Sequence, residues 1–382
     1  MNEILILSAS RTAIGSLNGS LANSTAPQLA AKAAADAISK SGVKAEELGE
    51  VVLGCVIPAG IGQAPARQAA IAAGIPVSAG ATTVNKVCGS GMKAVMLASQ
   101  SIALGEEDYA LAGGMESMSK APYLLDKARS GYRYGDAKLM DSILRDGLMD
   151  PYDGVHMGDC GELCAKEHGI TREMQDEWAV KSYTRALEAQ AKGYFKSEIV
   201  AVDGVDVDEE PGRAKLDKIS KLRPAFQKDG GTITAANASK LNDGAAALIL
   251  SSAKGAAGKK PLARVVGWAT HSQEPKWFTT APAGAVEKLL KKTGWTKDSV
   301  DLFEVNEAFA VVTLAVAKLG GLPFEKINVH GGAVALGHPL GASGARILVT
   351  LINALKIRGG KRGVAGICLG GGEAVAVAIE LV

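Results

Sequence analysis

Val84-Asn85-Lys86-Val87-Cys88-Gly89-Ser90-Gly91-Met92-Lys93-Ala94-Val95 is the stretch from which the rest of the chain is read. A β-leaning run reaches one cysteine, two glycines flank Ser90, and a helical period takes over at Met92, Val95, Met96, Ile102 and Ala103. Cys88 is therefore expected on a strand-to-helix turn. There the unpaired N–H groups of a first helical turn and the helix macrodipole favour thiolate over thiol. Gly89 and Gly91 let the backbone turn sharply and a substrate come close. Read alone, the cysteine is equally a nucleophile or a packed core thiol.

Around this turn lies a chain of 382 residues, 47% hydrophobic and 21% charged, which suits a soluble globular protein with a substantial core. Its 46 glycines gather at the ends of apolar runs, where strands turn into helices or backbone meets ligand. A net charge of +2 argues against a nucleic-acid partner, while leaving room for a local basic cluster that holds a phosphorylated small molecule. The five cysteines are odd in number and widely spread, the pattern of a reducing compartment, and the cytoplasm is expected. Cys160 and Cys164 could share a helix face, but no matching Cys or His pair stands nearby, and no metal site is expected. The run Ile4-Leu5-Ile6-Leu7 is too short for a signal peptide or a membrane span and reads as a first strand; no membrane partner is expected.

Onward from the first strand, the sequence predicts an alanine-rich helix over 27–39, a strand over 50–56, a short helix over 68–73, the Cys88 turn with its helix, and a strand over 109–115. The last third repeats this order: strand 262–268, helix 283–292, strand 301–306, a glycine-lined turn at His338 with a helix through Ile347, Leu351 and Leu355, and strand 363–369. Alternating strands and helices give an α/β fold of two duplicated halves facing each other, with a site where equivalent strand ends meet. Between the halves, residues 119–244 are richer in charge and carry one clear helix, capped by Thr171 and stopped at Gly193. The domain reading is a first core half of 1–118 plus 245–260, an inserted loop domain of 119–244, and a second core half of 261–382.

Four stretches fall at strand ends that the halves could bring together: the Cys88 turn, Asn306-Glu307-Ala308-Phe309, Gly337-His338-Pro339-Leu340-Gly341-Ala342-Ser343-Gly344, and Cys368-Leu369-Gly370-Gly371-Gly372. A thiol nucleophile needs a base, and imidazole supplies one near neutral pH. Attack on a thioester carbonyl creates an oxyanion, for which the N–H groups of Cys88 and Gly370 are candidate donors. Once Cys88 is acylated, proton abstraction beside another carbonyl needs a separate group, and Cys368 is the candidate. Each element has a plainer reading: His338 capping a turn, Asn306 as the N-cap of a helix over 307–319, Cys368 as core. The spacing of Gly337, Gly341 and Gly344 also approaches a dinucleotide-binding loop, but no acidic residue follows at the distance that would hold a ribose.

On these four motifs, in this order, the sequence resembles the thiolases along essentially its whole length. The resemblance implies a five-layered αβαβα fold built from two duplicated halves with an inserted loop domain. It implies that His338 activates Cys88, which takes an acyl group from an acyl-CoA, and that Cys368 then deprotonates acetyl-CoA. It also implies two oxyanion holes, one from His338 with a water held by Asn306, the other from the N–H groups of Cys88 and Gly370. No metal or redox cofactor takes part; coenzyme A thioesters are the substrates. His156-Met157-Gly158 is similar to the short-chain branch, in which two acetyl-CoA condense to acetoacetyl-CoA and CoA or the reverse thiolysis runs. The alternative is a degradative 3-ketoacyl-CoA thiolase with a longer acyl pocket, and a more distant one is a non-catalytic lipid binder. Leu148, His156, Met157, Ala235, Ser239, Ala308 and Phe309 match positions that contact the pantetheine or acyl part, and Ala225 and Phe226 the adenine side. Arg213, Lys215, Lys218 and Lys221 cluster where the phosphates of coenzyme A are expected. Lys240, where a glycine or small residue is usual, and His330, in place of a common asparagine, depart from the pattern. A homodimer or homotetramer is implied.

Overall fold

The computed structural model describes residues 2–382. In chain order its strands are β1 (Ile4–Thr12), β2 (Gly15–Ser16), β3 (Glu50–Gly54), β4 (Gly80–Val84), β5 (Tyr109–Ser117), β6 (Tyr123–Leu124), β7 (Met140–Asp141), β8 (Ile199–Val200), β9 (Asn242–Ser252), β10 (Ala263–Ser272), β11 (Leu302–Val305), β12 (Arg362–Leu369) and β13 (Glu373–Leu381). The helices are α1 (Ala26–Ser41), α2 (Pro65–Ala72), α3 (Ser90–Leu104), α4 (Met157–His168), α5 (Arg172–Ala191), α6 (Glu209–Arg213), α7 (Ala281–Thr293), α8 (Ala310–Gly320), α9 (Ala333–Leu336) and α10 (Leu340–Arg358).

The repeat in the sequence is a repeat of strand pairing. From β1 the first half runs β1-β9-β5-β3-β4, and from β10 the second runs β10-β13-β12-β11. In both, the first two pairings are antiparallel and the third is parallel. The halves join where Leu5 lies opposite Arg264 and Ile6 opposite Ala263.

Packing on the two faces of each half makes five layers. Leu29 and Ala33 of α1 and Ala66 and Ala69 of α2 cover Val51, Leu111 and Ile249 on the outside of the first half. Ala285 and Leu289 of α7 and Val311 and Ala315 of α8 cover Phe303, Val364 and Ala376 on the outside of the second. Between the halves lie α3 and α10, whose Met92, Val95, Ile347 and Leu351 meet Val52 and Leu248 on one side and Ile367 and Val377 on the other. Helices buried over most of their surface must be apolar over most of it. That is why Val87–Leu104 and Leu340–Arg358 have the length and apolarity of membrane spans while sitting inside the protein.

Glycine sets the spacing of this central layer. A Cβ on Gly91 would stand 2.8 Å from Gly341 O and 2.9 Å from Ala345 N, and one on Gly344 would stand 2.5 Å from Met92 N. The starts of α3 and α10 can touch only because neither carries a side chain there.

The segment between the halves packs onto the second one: Met157, Cys160 and Trp178 share a core with Phe303, Val311 and Val334. Its long helix starts where expected, with Thr171 Oγ1 accepting from Met174 N–H at 3.3 Å, and Gly193 just beyond its end has φ +69°. The segment also holds α4, which the sequence reading did not single out; His156 caps it, its Nδ1 accepting from Gly158 N–H at 2.9 Å. Cys160 and Cys164 are buried in this helix, and burial pushes both thiols up to about 11.

Candidate functional site

The parallel strand β4 ends at Val84, and the chain turns through residues 85–89 before α3 begins at Ser90. The turn is tied on several sides. Asn85 Oδ1 accepts from Val87 N–H at 3.0 Å, and Ser90 Oγ accepts from Lys86 N–H at 2.8 Å. Ser90 Oγ also donates to Val87 O at 2.6 Å, and Lys86 pairs with Glu373 of the second half. Val87 is forced to φ +45°, a left-handed backbone that a β-branched residue rarely adopts. This strained residue immediately precedes Cys88 and swings it to the front of α3.

The N–H groups of Cys88 itself and of Gly370 reach the Cys88 sulfur, and both favour the anion. Burial nevertheless outweighs them and pushes the thiol up to about 12. Cys88 is half-buried, so the donors of the helix start, which favour the thiolate, and desolvation, which opposes it, act on the same sulfur. Cys368, at the end of β12, is fully buried, and burial, with the neighbouring Cys88 next in size, raises its thiol well above the usual range. Leu369 seals the contact from the other side, since a Cβ on Gly89 would strike its Cδ2 at 2.5 Å.

His338 sits two residues before α10, as Cys88 sits two before α3. Its imidazole is buried, and burial, assisted by the Arg346 charge, pushes it down to about 3. Its Nδ1 lies 2.6 Å from Ser343 Oγ, and its Nε2 lies 3.5 Å from Asn306 Nδ2. Asn306 follows β11, its N–H donating to Gly366 O at 3.0 Å, and its buried Oδ1 has no protein partner. The helix expected to start at Glu307 begins instead at Ala310, so Asn306 is not its cap.

The residues expected to line the acyl and pantetheine path are spread over two cavities and the wall between them. Met157 lines a cavity of about 190 Å³ with Val87, Gly370 and Gly371. Leu148 packs with Val87 and Cys88 in a small cluster around Ile57 and Leu340. His156 stacks on Phe226 at 4.7 Å, and Phe226 meets Phe309 edge-on at 6.0 Å. Ser239 N–H donates to Ala308 O at 3.0 Å, and Ala238 bridges to Phe309. Ala235 lines a second cavity of about 260 Å³ with Arg213, Lys215, Lys218, Leu222 and Lys240. Ala225 is exposed beside Phe226 and Lys221 stands outside that cavity wall.

Four residues that hold these groups were not identified from the sequence. Ser343 meets His338 Nδ1. Asn242 Oδ1 accepts from His338 N–H at 2.9 Å. Glu307, fully buried, accepts from Trp178 Nε1–H at 2.9 Å, Ser182 Oγ–H at 2.7 Å and Val334 N–H at 3.1 Å. Glu116 accepts from Val56 N–H at 3.0 Å, Ile57 N–H at 3.1 Å and Gly341 N–H at 2.8 Å, and so ties the two halves together. Its signal is a carboxylate two residues after the paired glycines of an apolar strand, where a solvated side chain has no place.

Chemically, the arrangement offers a half-buried sulfur with a second thiol beside it, the amide donors of Cys88 and Gly370, and a buried imidazole that burial keeps uncharged. Residues 4–254 match the family described as thiolase, N-terminal domain, and residues 259–381 match thiolase, C-terminal domain. The chain is 51% identical to acetyl-CoA acetyltransferase IA of Candida tropicalis over 99% of this chain and 97% of the relative. It is 51% identical to the mitochondrial acetyl-CoA acetyltransferase of Mus musculus over 100% of this chain and 91% of that one. Among solved structures, the Acat5 thiolase of Ascaris suum in complex with coenzyme A superposes with a TM-score of 0.96 at 45% identity, covering 100% of both chains.

Proposed function

The chain belongs to the thiolase family, and from this premise we propose that it is an acetyl-CoA acetyltransferase that works through an acyl-Cys88 intermediate. Coenzyme A thioesters are its substrates: two acetyl-CoA give acetoacetyl-CoA and CoA, or the reverse thiolysis runs. The observation that carries the reading is the meeting of two turns, the one that carries Cys88 at the start of α3 and the one that carries Gly370 after Cys368 at the end of β12: Gly89 lies against Leu369 and Gly370 against Val87.

His338 Nε2 takes the Cys88 proton as the sulfur attacks the acetyl-CoA carbonyl, so the ion pair forms only during the reaction. The Cys88 and Gly370 N–H groups receive the oxyanion, a donor pair of which each member is typically worth ~3 kcal/mol. As the tetrahedral adduct collapses, the departing CoA thiolate takes the Cys368 proton, leaving a Cys368 thiolate. Burial that raises this thiol makes the thiolate a strong base, suited to removing a proton from the methyl group of the second acetyl-CoA. The imidazolium, with a water on the unpartnered Asn306 Oδ1, receives the enolate oxygen. The carbanion attacks the acyl-enzyme, and the released Cys88 thiolate recovers its proton from His338.

That Arg213, Lys215 and Lys218 all line the cavity that Ala235 shares supports the reading in which they meet the phosphates of coenzyme A. Met157 supports the short-chain reading, because it lies against the Gly370 end of the acyl cavity. A homodimer or homotetramer is the assembly we favour: β4 ends its sheet with an open edge, with Ile71 and Val77 exposed close by. All five cysteines are free, which suits the reducing cytoplasm.

CoA-dependent cleavage of acetoacetyl-CoA, compared with longer 3-ketoacyl-CoAs, tests the reading, with Cys88→Ala as control. Preference for the four-carbon substrate is expected; equal or better rates on long chains would make it a degradative thiolase, and activity surviving in Cys88→Ala would overturn the mechanism.

A further inference from the structure

Lys240 is a half-buried cation that the reaction above does not use. It follows the loop 235–239 and faces the cavity of Arg213, Lys218 and Leu222. Its Nζ donates to Ala238 O at 2.6 Å and to Val334 O at 3.3 Å and stands 5.6 Å over the Tyr183 ring. No carboxylate forms an ion pair with it among the described residues. Two backbone carbonyls and an aromatic face, rather than a carboxylate, therefore hold this charge.

The two carbonyls belong to different parts of the site. Ala238 bridges to Phe309, and its neighbour Ser239 is bonded to Ala308, so this carbonyl moves with the wall of the thioester path. Val334 lies in α9, four residues before His338, and its own N–H is held by Glu307. Val334 is therefore gripped at both poles, by a carboxylate at the N–H and by the ammonium at the carbonyl.

We propose that the Lys240 ammonium is a positioning group, an internal cation that draws the Ala238 and Val334 carbonyls together and so fixes the thioester wall relative to the turn that carries His338. Without a positive charge, two carbonyl dipoles directed at one point repel. The proposal rests on reading this cavity as the coenzyme A channel. The groups facing the ammonium are Glu210 of α6, Glu307 after β11, and Tyr183 of α5, with Arg213, Lys215 and Lys218 on the same cavity. Burial lowers Lys240 to about 8, opposed by Glu210 and Glu307, so the cation is present below that pH and lost above it.

Lys240→Met, which keeps most of the stem but removes the charge, and Lys240→Ala, which removes the stem and the ammonium and leaves room for an added amine, test this by acetoacetyl-CoA thiolysis. In both, kcat is expected to fall about tenfold, the loss of one charge-assisted hydrogen bond. Ammonium or methylammonium chloride is expected to restore Lys240→Ala but not Lys240→Met, with tetramethylammonium chloride, which cannot donate, as the ionic-strength control. The alkaline fall of kcat near pH 8 is expected to disappear in Lys240→Met. Unchanged kcat in both variants, or a loss in Lys240→Ala that ammonium does not relieve, would overturn the proposal. An inactive wild type would instead refute the acyltransferase reading, and so the two failures are told apart.

Discussion

His338 Nδ1 stands 2.6 Å from Ser343 Oγ, and that hydroxyl donates to Pro339 O at 2.9 Å. A carbonyl can only accept, so the one hydroxyl proton is committed to Pro339 and Oγ is left to accept from Nδ1–H. The imidazole is thereby held in the tautomer whose Nε2 is bare, and that nitrogen faces the Asn306 amide. Ser343→Ala frees the ring to rotate and to change tautomer. A kcat lower by roughly 10- to 100-fold is expected, the worth of one buried hydrogen bond at a base, with KM little changed. Ser343→Thr, keeping the hydroxyl, is expected to retain more activity; steady-state kinetics of both variants check this.

Burial pushes Cys88 up to about 12 and His338 down to about 3, and both shifts favour an uncharged pair at rest. Alkylation of Cys88 by iodoacetamide is therefore expected to climb about tenfold per pH unit between about pH 7 and 10, with no plateau at neutrality. A plateau near pH 7 would mean a preformed thiolate–imidazolium pair. His338 protonates in the unfolded chain near 6.5 but in the native state only near 3, so its contribution to stability is lost as pH falls from 6.5 toward 3.

Glu116 runs the other way. Burial raises its carboxyl to about 7, so between 4.5 and 7 the native state holds a proton that the unfolded chain has released, and stability from this group declines as pH rises through that window. Glu116→Gln removes the titration and sets an NH2 against one of three backbone donors. Thermal melts are expected to show destabilisation of about 1–3 kcal/mol, and the Glu116 part of the decline between pH 5 and 7.5 absent.

Gly114 has no room for a Cβ, which would overlap the carbonyl of Gly341. Gly114→Ala must therefore push α10 away from β5 and carry His338 away from Cys88. A loss of more than about 3 kcal/mol in urea unfolding is expected, or failure to fold. A well-folded, active Gly114→Ala protein would show that the central layer tolerates a wider spacing.

Residues that act through their chemical type were readable from sequence, because a thiol before Gly-Ser-Gly or a histidine in a glycine-lined turn is informative wherever the fold puts it. The repeat was readable for a similar reason: strand and helix periods are local, and Thr171 and Gly193 mark a helix by themselves. What sequence spacing does not hold is partnership across the fold. Glu116 meets Gly341 over 225 positions and Asn242 meets His338 over 96, and nothing in either local pattern names the other. Asn306 as a helix cap was a sound local reading, but the helix start is set three residues later, where Ala310 N–H donates to Asn237 O at 2.8 Å. At Cys88 the helix start that favours the thiolate is visible in sequence, and the desolvation that opposes it is not.

The halves share one strand order yet contribute unlike groups at matching places, a thiol before α3 and an imidazole before α10. A single copy of the repeat would hold half of the chemistry and would need to find a second to act. Joining two copies in one chain turns that encounter into an intramolecular one at high effective concentration, independent of how much protein the cell makes. It also frees each copy to specialise, and binds them afterwards: at Gly91 and Gly341 neither can add an atom unless the other gives way, so this part of the two duplicates must evolve as a pair.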